Sequence, residues 1–481
     1  MDHPPTPHVL ITPFPLQGHV KPMLSLALLL SGAGVRVTFL NSDHNHALLD
    51  VDALRRHFPG LRFASIPDGL PPEHPRTAAL VSSDLFFTTD TTKPIFREYF
   101  ISLCGESGQW LPPTCIIADG VSMSLVADVA EEFEIPIIAF PTYNACSAWV
   151  LFHIPKLIQE GEIPFQGDDD DLDRPVTSIP GLETLLRRRD LPNICRFKDI
   201  QDPILQFFIS QAAAVATRSS ALILNTFDDA EHSVISRLRS FFTKIYTVGP
   251  LRTLSKSLIG SPECLPDGSL QKQDRRCIEW LNSQAPKSVI YISFGSIVVL
   301  NRTQLLEIWH GLVNSGKPYL WALRRDAVIG EEAADQEQIP SELEEGVRGR
   351  GCVVGWAPQE EVLAHWALGG FLTHSGWNST LESMVAGVPM ICWPQLVDQQ
   401  VSSRWVSDVW RIGLDMKDRC DRSTVEKMVR DLLEGKREEI MDSTDEIARK
   451  ARACCEEGGS SFRGFQKLIE DIRVMHLAGK S

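Results

Sequence analysis

The sequence contains no apolar run long enough to cross a lipid bilayer. The longest such run near the start, residues 23–30, falls far short of the roughly 20 residues that a membrane-spanning helix needs. It has neither the basic flank nor the small-residue cleavage site of a signal peptide, and the last residues, IEDIRVMHLAGKS, carry no hydrophobic anchor. We therefore expect a cytoplasmic protein with no membrane span.

The sequence also has fewer basic than acidic residues. The chain has 47 Lys and Arg against 62 Asp and Glu, which gives a formal net charge of -15. This charge opposes binding to nucleic acids and to anionic membranes, although a local site can still hold a diphosphate. The eleven cysteines are odd in number and include no CxxC pair, so we expect reduced thiols and no disulfide framework.

The length of 481 residues exceeds what one hydrophobic core usually supports and predicts two domains. Short apolar runs alternate with helix-length segments, which is typical of α/β domains with parallel sheets. A stretch rich in Ser, Pro and Gly interrupts this pattern, so we assign residues 1–250 to a first domain, 251–273 to a linker and 274–462 to a second domain. Two facing domains of this kind place a ligand cleft at the carboxyl ends of both sets of strands. The predicted strands are residues 8–12, 35–40, 114–119, 136–140, 221–226, 245–250, 288–295, 318–323, 351–356, 369–374 and 388–393.

An acidic run, GDDDDLDRP at residues 167–175, raises the question of a divalent metal site. It follows no apolar strand and stands among Gly and Pro, which favours a solvated loop. We therefore predict no metal site.

The segment PFPLQGHVKP, residues 13–22, joins the first predicted strand to a helix. Pro22 fits only the first turn of a helix, which places His19 at the helix N-terminus. There the helix dipole disfavours the imidazolium, so His19 is a candidate general base, or alternatively a simple helix cap. Asp119 ends another predicted strand and can orient the imidazole, although Asp before Gly120 is also common in turns.

The segment from Trp356 to Gln399 carries the strongest pattern. A strand ending at His374 is followed by the tight loop SGWNS and a helix, whose first amides, with Gly376, Asn378 and Ser379, can hold an anion. Alternatively, Ser379 and Glu382 form an S-x-x-E capping box that needs no ligand. The aromatic and polar side chains that can contact a base or a sugar are Trp356, Trp377, Asp398 and Gln399.

These 44 residues resemble the plant secondary product glycosyltransferase box of the UDP-dependent glycosyltransferases. The likeness extends to PFPLQGHVKPML, SIPDGLP, SIPGLETLLRRRDLP, SVIYISFGS and EEGGSSFRGFQKLI, and thus to most of the chain. The resemblance implies a GT-B fold of two facing Rossmann-like domains, with a C-terminal helix, residues 463–481, that packs back on the first domain.

The resemblance also assigns roles to individual residues. It makes His19 the catalytic base and Asp119 its partner, places uracil on Trp356 and Ala357, and places the ribose on Gln359 and Glu382. The residues implied to hold the diphosphate are Ser296, His374, Gly376, Asn378 and Ser379. Those implied to contact the sugar are Thr142, Trp377, Asp398 and Gln399.

The implied reaction is inverting transfer of glucose from UDP-glucose to a hydroxyl or carboxyl of a small lipophilic plant metabolite, an iridoid, another terpenoid or a phenolic. We expect no cofactor and no metal, because the helix N-terminus, His374 and Ser296 compensate the charge of the diphosphate. We also expect a monomer. The alternatives are another UDP-sugar, a non-enzymatic sugar-nucleotide binder, or an acyl-CoA-dependent acyltransferase, whose H-x-x-x-D motif is matched by HALLD at residues 46–50.

Overall fold

Two parallel β-sheets, one in each half of the chain, form the framework of the protein. The structure is a computed structural model that describes residues 6–105, 110–165, 171–260, 268–329 and 350–478. The predicted class, α/β with two parallel sheets, is confirmed. No helix among these described residues is long and apolar enough to cross a membrane.

The first sheet has seven strands in the order β3-β2-β1-β4-β5-β6-β7. Its strands are β1 His8–Thr12, β2 Arg36–Ser42, β3 Leu61–Ile66, β4 Cys115–Asp119, β5 Ile137–Phe140, β6 Ala221–Leu224 and β7 Ile245–Thr247. The direction of winding reverses between β1 and β4, which pair in parallel through Ile11 and Ile117. Ligands of open α/β sheets bind at the carboxyl ends of strands at such a reversal. His19 follows β1 and Asp119 ends β4, so both stand at this point.

The second sheet has six strands in the order β12-β10-β8-β13-β14-β15, and β9 pairs separately with β11. The strands are β8 Val289–Ser293, β9 Leu300–Asn301, β10 Tyr319–Ala322, β11 Val328–Ile329, β12 Gly351–Val354, β13 Leu368–Thr373, β14 Met390–Cys392 and β15 Gly413–Asp415. The reversal here lies between β8 and β13. The loops after these two strands carry Ser296 and His374, respectively.

Helices connect the strands in both domains. In the first half they are Gln17–Gly32, Asp43–Leu48, Val51–His57, Ala78–Leu85, Thr89–Cys104, Met123–Glu132, Ala145–Gln159, Pro203–Arg218, Asp228–Leu238 and Leu251–Ile259. In the second they are Arg276–Asn282, Arg302–Ser315, Gln359–Leu363, Trp377–Ala386, Gln399–Arg404, Arg422–Arg430, Arg437–Ala453 and Ser460–Ala478.

The observed elements differ from the sequence predictions in several strands, in the linker and in the last helix. Strands β3, β9, β11 and β15 were not predicted, because Arg62 interrupts the apolar pattern of β3 and the other three strands have only two or three residues. The predicted linker, 251–273, begins with the helix Leu251–Ile259, which buries Leu251 and Leu254 and packs on helix Gln17–Gly32. The last helix begins at Ser460, three residues before the predicted 463, and contacts the first domain, where the Tyr246 hydroxyl donates a hydrogen bond of 2.6 Å to Asp471.

Candidate active site

A cleft between the two domains brings the predicted site residues together. A cavity of about 170 Å³ opens at the carboxyl ends of both sheets. Every predicted site residue except Asp119 lines it, namely His19, Thr142, Ser296, Trp356, Ala357, Gln359, His374, Gly376, Trp377, Asn378, Ser379, Glu382, Asp398 and Gln399. Asp119 is fully buried behind His19.

The imidazole of His19 is held through one of its two nitrogens. Nδ1 lies 2.9 Å from Asp119 Oδ2 and 2.8 Å from Thr142 Oγ1. Asp119 is itself fixed by the backbone N–H groups of Phe14 (3.2 Å) and Val121 (3.0 Å). Because an ionised carboxylate only accepts hydrogen bonds, the proton lies on Nδ1 and Nε2 is the basic nitrogen. Thr142, to which the resemblance gave a sugar contact, also orients this ring.

The pKa of His19 departs from the sequence expectation. Burial lowers the pKa of the imidazolium, but the charge of Asp119 and its hydrogen bond raise it, and the net pKa lies above the ordinary value. The prediction from the helix dipole was a lowered pKa of His19. It was wrong because a buried carboxylate in direct contact outweighs the partial charge of a helix terminus.

The helix Trp377–Ala386 begins in the cleft without a side-chain cap. Its N-cap is Gly376, and the capping box proposed for Ser379 and Glu382 is wrong because both residues lie within the helix. Instead, the side-chain amide of Gln359 donates to Ser379 Oγ (2.9 Å) and to Glu382 Oε2 (2.8 Å). An uncapped helix N-terminus in a cleft is a favourable place for phosphate groups.

His374 packs tightly between two glycines. A Cβ atom on Gly295 would lie 2.6 Å from His374 Nε2, and one on Gly376 would lie 2.4 Å from it, so any other residue at either position would displace the ring. Burial and the charge of Arg324 lower the pKa of His374 to about 4. His374 is therefore uncharged, and its predicted contact with the diphosphate stays a prediction. At neutral pH this side chain can supply a hydrogen bond only.

Arg324, for which no role was predicted, places positive charge near His374. Arg324 is 8% exposed, and its guanidinium donates hydrogen bonds to the carbonyl oxygens of Gly295 and Val298. It also lies 3.0 Å from Asp326, which bonds the backbone N–H of Ala78 in the first domain. Arg324 thus fixes the loop that carries Ser296 and ties it to the opposite domain.

Two residues of the box use their side chains across the cleft. Asn378 donates a hydrogen bond of 2.7 Å to the carbonyl oxygen of Gly18, and the indole N–H of Trp377 donates one of 2.8 Å to Asn225 O. Pro22 lies beyond the first turn of its helix, so the prediction that it stands in the first turn is wrong. Because proline has no N–H for the carbonyl four residues earlier, that of Gly18 remains available to Asn378. The indole N–H of Trp377 and one N–H of the Asn378 amide are therefore already used, whereas the second N–H of that amide can still donate to a ligand.

Asp398 and Gln399 lie at the sugar end predicted for the cleft. Burial raises the pKa of Asp398 to about 6. Hydrogen bonds from backbone groups, including that of Trp377, and the charge of His19 lower this pKa, but by less. Gln399 Oε1 accepts the backbone N–H groups of Gln395 and Leu396, both at 2.9 Å. The amide of Gln399 therefore turns its NH₂ group toward the cavity.

The sequence raised two other sites, a metal site at the acidic run and an acyltransferase site at the HALLD motif. The described residues contain no cluster of three His, Cys, Asp or Glu side chains that can hold a metal ion. Asp168, Asp169 and Asp170 lie outside the described residues, whereas Asp171 and Asp173 pair with arginines 187–189. In HALLD, Asp50 caps the helix Val51–His57, and neither end of the motif lines the cleft.

Comparisons with known proteins agree with this geometry. Residues 198–445 match the model of the family described as UDP-glucoronosyl and UDP-glucosyl transferase. The chain is 48% identical over 477 residues, 98% of both chains, to a 7-deoxyloganetic acid glucosyltransferase from Catharanthus roseus. The chain belongs to this family. This UDP-glycosyltransferase is also 48% identical over 452 residues to mogroside I-A1 synthase from Siraitia grosvenorii. The matched region covers 92% of this chain and 84% of that one.

Solved structures show the same fold. A UDP-glucose:anthocyanidin 3-O-glucosyltransferase in complex with UDP matches with a TM-score of 0.82 and 26% identity, over 97% of this chain and 99% of that one. UGT71G1 from Medicago truncatula, complexed with UDP-glucose, matches with a TM-score of 0.78 and 27% identity, over 97% and 98% of the two chains. The GT-B fold predicted for this UDP-glycosyltransferase is thereby confirmed.

Lys21 and Tyr143 also line the cleft of this UDP-glycosyltransferase but were not predicted. Lys21 lies two residues after His19, on the same helix, and its charge was the only signal in the sequence. Tyr143 follows Thr142 directly after β5, so the position at a strand end could have identified it.

Proposed function

We propose that this UDP-glycosyltransferase moves glucose from UDP-glucose to a hydroxyl group of a small lipophilic plant metabolite and inverts the anomeric configuration. The observation that carries the proposal is the His19–Asp119 pair, which faces the uncapped N-terminus of helix Trp377–Ala386 across the cleft. A base and an anion site on opposite domains are what transfer from a nucleotide sugar requires.

His19 Nε2 is the group that takes the proton of the acceptor hydroxyl as its oxygen attacks the anomeric carbon. Asp119 and Thr142 keep Nε2 directed into the cleft, and the carboxylate stabilises the imidazolium that forms. Attack opposite the UDP group would convert an α-linked donor into a β-glucoside. A carboxylate acceptor, already ionised at neutral pH, would need this base less.

The diphosphate is proposed to lie at the N-terminus of helix Trp377–Ala386, close to Ser296 and neutral His374. The dipole of this helix and the buried guanidinium of Arg324, behind the Gly295 carbonyl, provide positive potential there. This supports a reaction without a metal ion. The resemblance places the uracil on Trp356 and Ala357 and the ribose on Gln359 and Glu382, and all four line the same cavity.

The acceptor side is supported by a cluster of aromatic rings next to His19. Phe14 contacts the edge of the His19 ring at 5.4 Å between centroids and stacks on Phe86 at 5.6 Å. Phe86 in turn contacts Phe207 and Phe208. Such a wall suits the carbon skeleton of a terpenoid, an iridoid or a phenolic, and one relative is named for an iridoid acid, 7-deoxyloganetic acid.

The setting of the enzyme is part of the proposal. The ten described cysteines are all free thiols, which suits a reducing, cytoplasmic compartment. Because the cleft is built from the two domains of one chain, we propose that the monomer is the active form.

An acceptor screen tests the proposed function. Purified protein is incubated with UDP-glucose and a panel of iridoids, monoterpenols, flavonoids and aromatic acids, and products are detected by the mass increment of one glucose. NMR of the anomeric proton then assigns the α or β configuration. Transfer from UDP-galactose at an equal rate would contradict the choice of glucose, and an α-linked product would contradict inversion.

A further inference from the structure

A short loop leads from the proposed base to a buried contact between the domains. It follows strand β5, consists of residues 141–144 and continues into helix Ala145–Gln159. Thr142 of this loop lies 2.8 Å from His19 Nδ1. Asn144 is 1% exposed and is not among the residues that line the cleft. A fully enclosed amide thus stands two residues from a side chain that orients the base.

The side chain of Asn144 makes one hydrogen bond in each domain. Its Oδ1 accepts the backbone N–H of Ser147 at 2.6 Å, which makes Asn144 the N-cap of its own helix. Because a backbone N–H only donates, this bond fixes which end of the amide is the oxygen. Nδ2 therefore points the other way and donates a hydrogen bond of 2.9 Å to Ser402 Oγ, in the second domain. Ser402 is fully buried, so the two domains are joined here away from solvent.

Ser402 belongs to the helix that begins at the proposed sugar site. Asp398 is the N-cap of this helix, Gln399–Arg404, and both Asp398 and Gln399 line the cleft. The Ser402 hydroxyl donates a hydrogen bond of 3.0 Å to the Asp398 carbonyl, one turn earlier. The hydroxyl of Ser147, in the first domain, donates to the same carbonyl at 3.4 Å. Two side chains of the first domain, one of them through Ser402, therefore hold the backbone that carries the proposed sugar contacts.

The first-domain side of this contact is fixed by further buried hydrogen bonds. The carboxylate of Glu231, a residue that is 2% exposed, accepts the backbone N–H groups of Ala145 at 3.2 Å and Cys146 at 2.8 Å. Together with the bond to the Asn144 side chain, three successive amides at the start of helix Ala145–Gln159 are bound. The start of this helix is thereby anchored to the first domain, which also carries the base.

We propose that Asn144 is a positioning residue for glucosyl transfer, whose hydrogen bond to Ser402 sets the place of Asp398 and Gln399 relative to His19. The inference rests on the proposed function and deepens it. With the sugar held by the second domain and the base by the first, the distance from Nε2 to the anomeric carbon depends on how the domains meet here. A displacement of about 1 Å between reacting groups lowers a rate by on the order of 100-fold.

Two single substitutions remove the link in different ways. Ser402→Ala deletes the acceptor and leaves the Asn144 cap in place. Asn144→Ser keeps an N-cap, because Ser and Asn cap helices about equally well, but lacks the amide that reaches Ser402. We expect each substitution to lower kcat for transfer about 5- to 20-fold, while the KM for UDP-glucose and the calorimetric Kd of UDP stay within about twofold of wild type. If Ser402→Ala fails to fold, Asn144→Ser decides alone.

A double variant and a neighbouring serine complete the experiment. Because both substitutions break the same hydrogen bond, Asn144→Ser combined with Ser402→Ala should be no slower than the slower single variant. Ser403→Ala is the matched control, since Ser403 is adjacent, is 1% exposed and has its hydroxyl close to Asp415 in its own domain. The control should keep the wild-type kcat. Thermal melts establish that every variant is folded at the assay temperature.

Several results would overturn the positioning role and leave the proposed function standing. One is an unchanged kcat in both single variants. Others are losses that add up in the double variant, or an equal loss in Ser403→Ala, since either would show a general packing effect. A rise in the Kd of UDP as large as the fall in kcat would make the contact a requirement for donor binding instead. If the wild type transfers glucose to no acceptor, the proposed function fails and the positioning role fails with it.

Discussion

Lys21 Nζ, in the first domain, lies 2.8 Å from Glu382 Oε1, in the second. The same ammonium is 3.6 Å from Glu360, which also pairs with Arg252 and Lys256. Lys21 therefore bridges the cleft at the end where the ribose is proposed to bind. Its charge offsets a carboxylate that would otherwise repel the diphosphate of the donor.

We predict that Lys21→Met raises the KM for UDP-glucose about five- to tenfold and leaves kcat nearly unchanged, because it leaves Glu382 without its cation. Steady-state kinetics with varied donor measures this change. Lys256→Met is the control, since Lys256 is half exposed and pairs with Glu360 but not with Glu382. A lower KM in Lys21→Met would mean that Lys21 competes with the ribose for Glu382.

Replacing the proposed base should separate chemistry from donor binding. His19→Ala should lower kcat for an alcohol acceptor by about 10² to 10⁴, the usual effect of losing a general base. UDP affinity, measured by calorimetry, should change little because the proposed nucleotide site is on the other domain. Near-normal turnover in a folded, UDP-binding His19→Ala protein would refute the assignment.

The pH dependence of kcat/KM should report the environment of His19. The base works only when neutral, and its pKa lies above the ordinary 6.5, so activity should fall as the pH drops through that raised value. Asp119→Asn removes the charge that raises the pKa of His19. Its acid limb should therefore move to lower pH, while the maximal rate also falls because the imidazolium loses stabilisation. An unmoved acid limb would show that another group controls it.

Gln399 should influence the choice of sugar. Because its NH₂ group faces the cavity, Gln399→Glu replaces a donor by an acceptor at the same position. We expect the thermal stabilisation by UDP-glucose to fall markedly and that by UDP to persist, as measured by thermal shift at equal ligand concentrations. Equal losses for both ligands would place Gln399 away from the sugar.

Chelation tests the proposal that no metal takes part. With the diphosphate held by a helix N-terminus and side chains, turnover should survive EDTA. The measurement compares initial rates in EDTA, magnesium and manganese. Loss of activity in EDTA that either metal restores would show that a cation is required.

The framework of the fold followed from local patterns. Apolar strands such as 8–12 and 289–293 are short, buried on both faces and separated by helices. This arrangement can be predicted from the order of the residues alone. The elements that were missed are those whose pattern is weak, such as β3 with Arg62. The helix Leu251–Ile259 was missed because its polar residues resemble a linker until Leu251 and Leu254 pack on a neighbouring helix.

Most of the predicted residues line one cleft, because motifs order them along the chain and strand ends collect side chains at one edge of a sheet. The electrostatic states of these residues could not be predicted from the sequence. The raised pKa of His19, the pKa of about 4 for His374 and the charge of Arg324 behind Gly295 depend on burial and on partners far away in sequence.

Which atoms remain available to a ligand was likewise settled by tertiary contacts. Asn378 donates an amide N–H to the carbonyl of Gly18, because Pro22 leaves that carbonyl without a helical donor. The two residues lie 360 positions apart in the sequence. A hydrogen bond depends on distance and direction in space. Sequence patterns describe only the order of residues within one element, so contacts of this kind arise when the two domains meet.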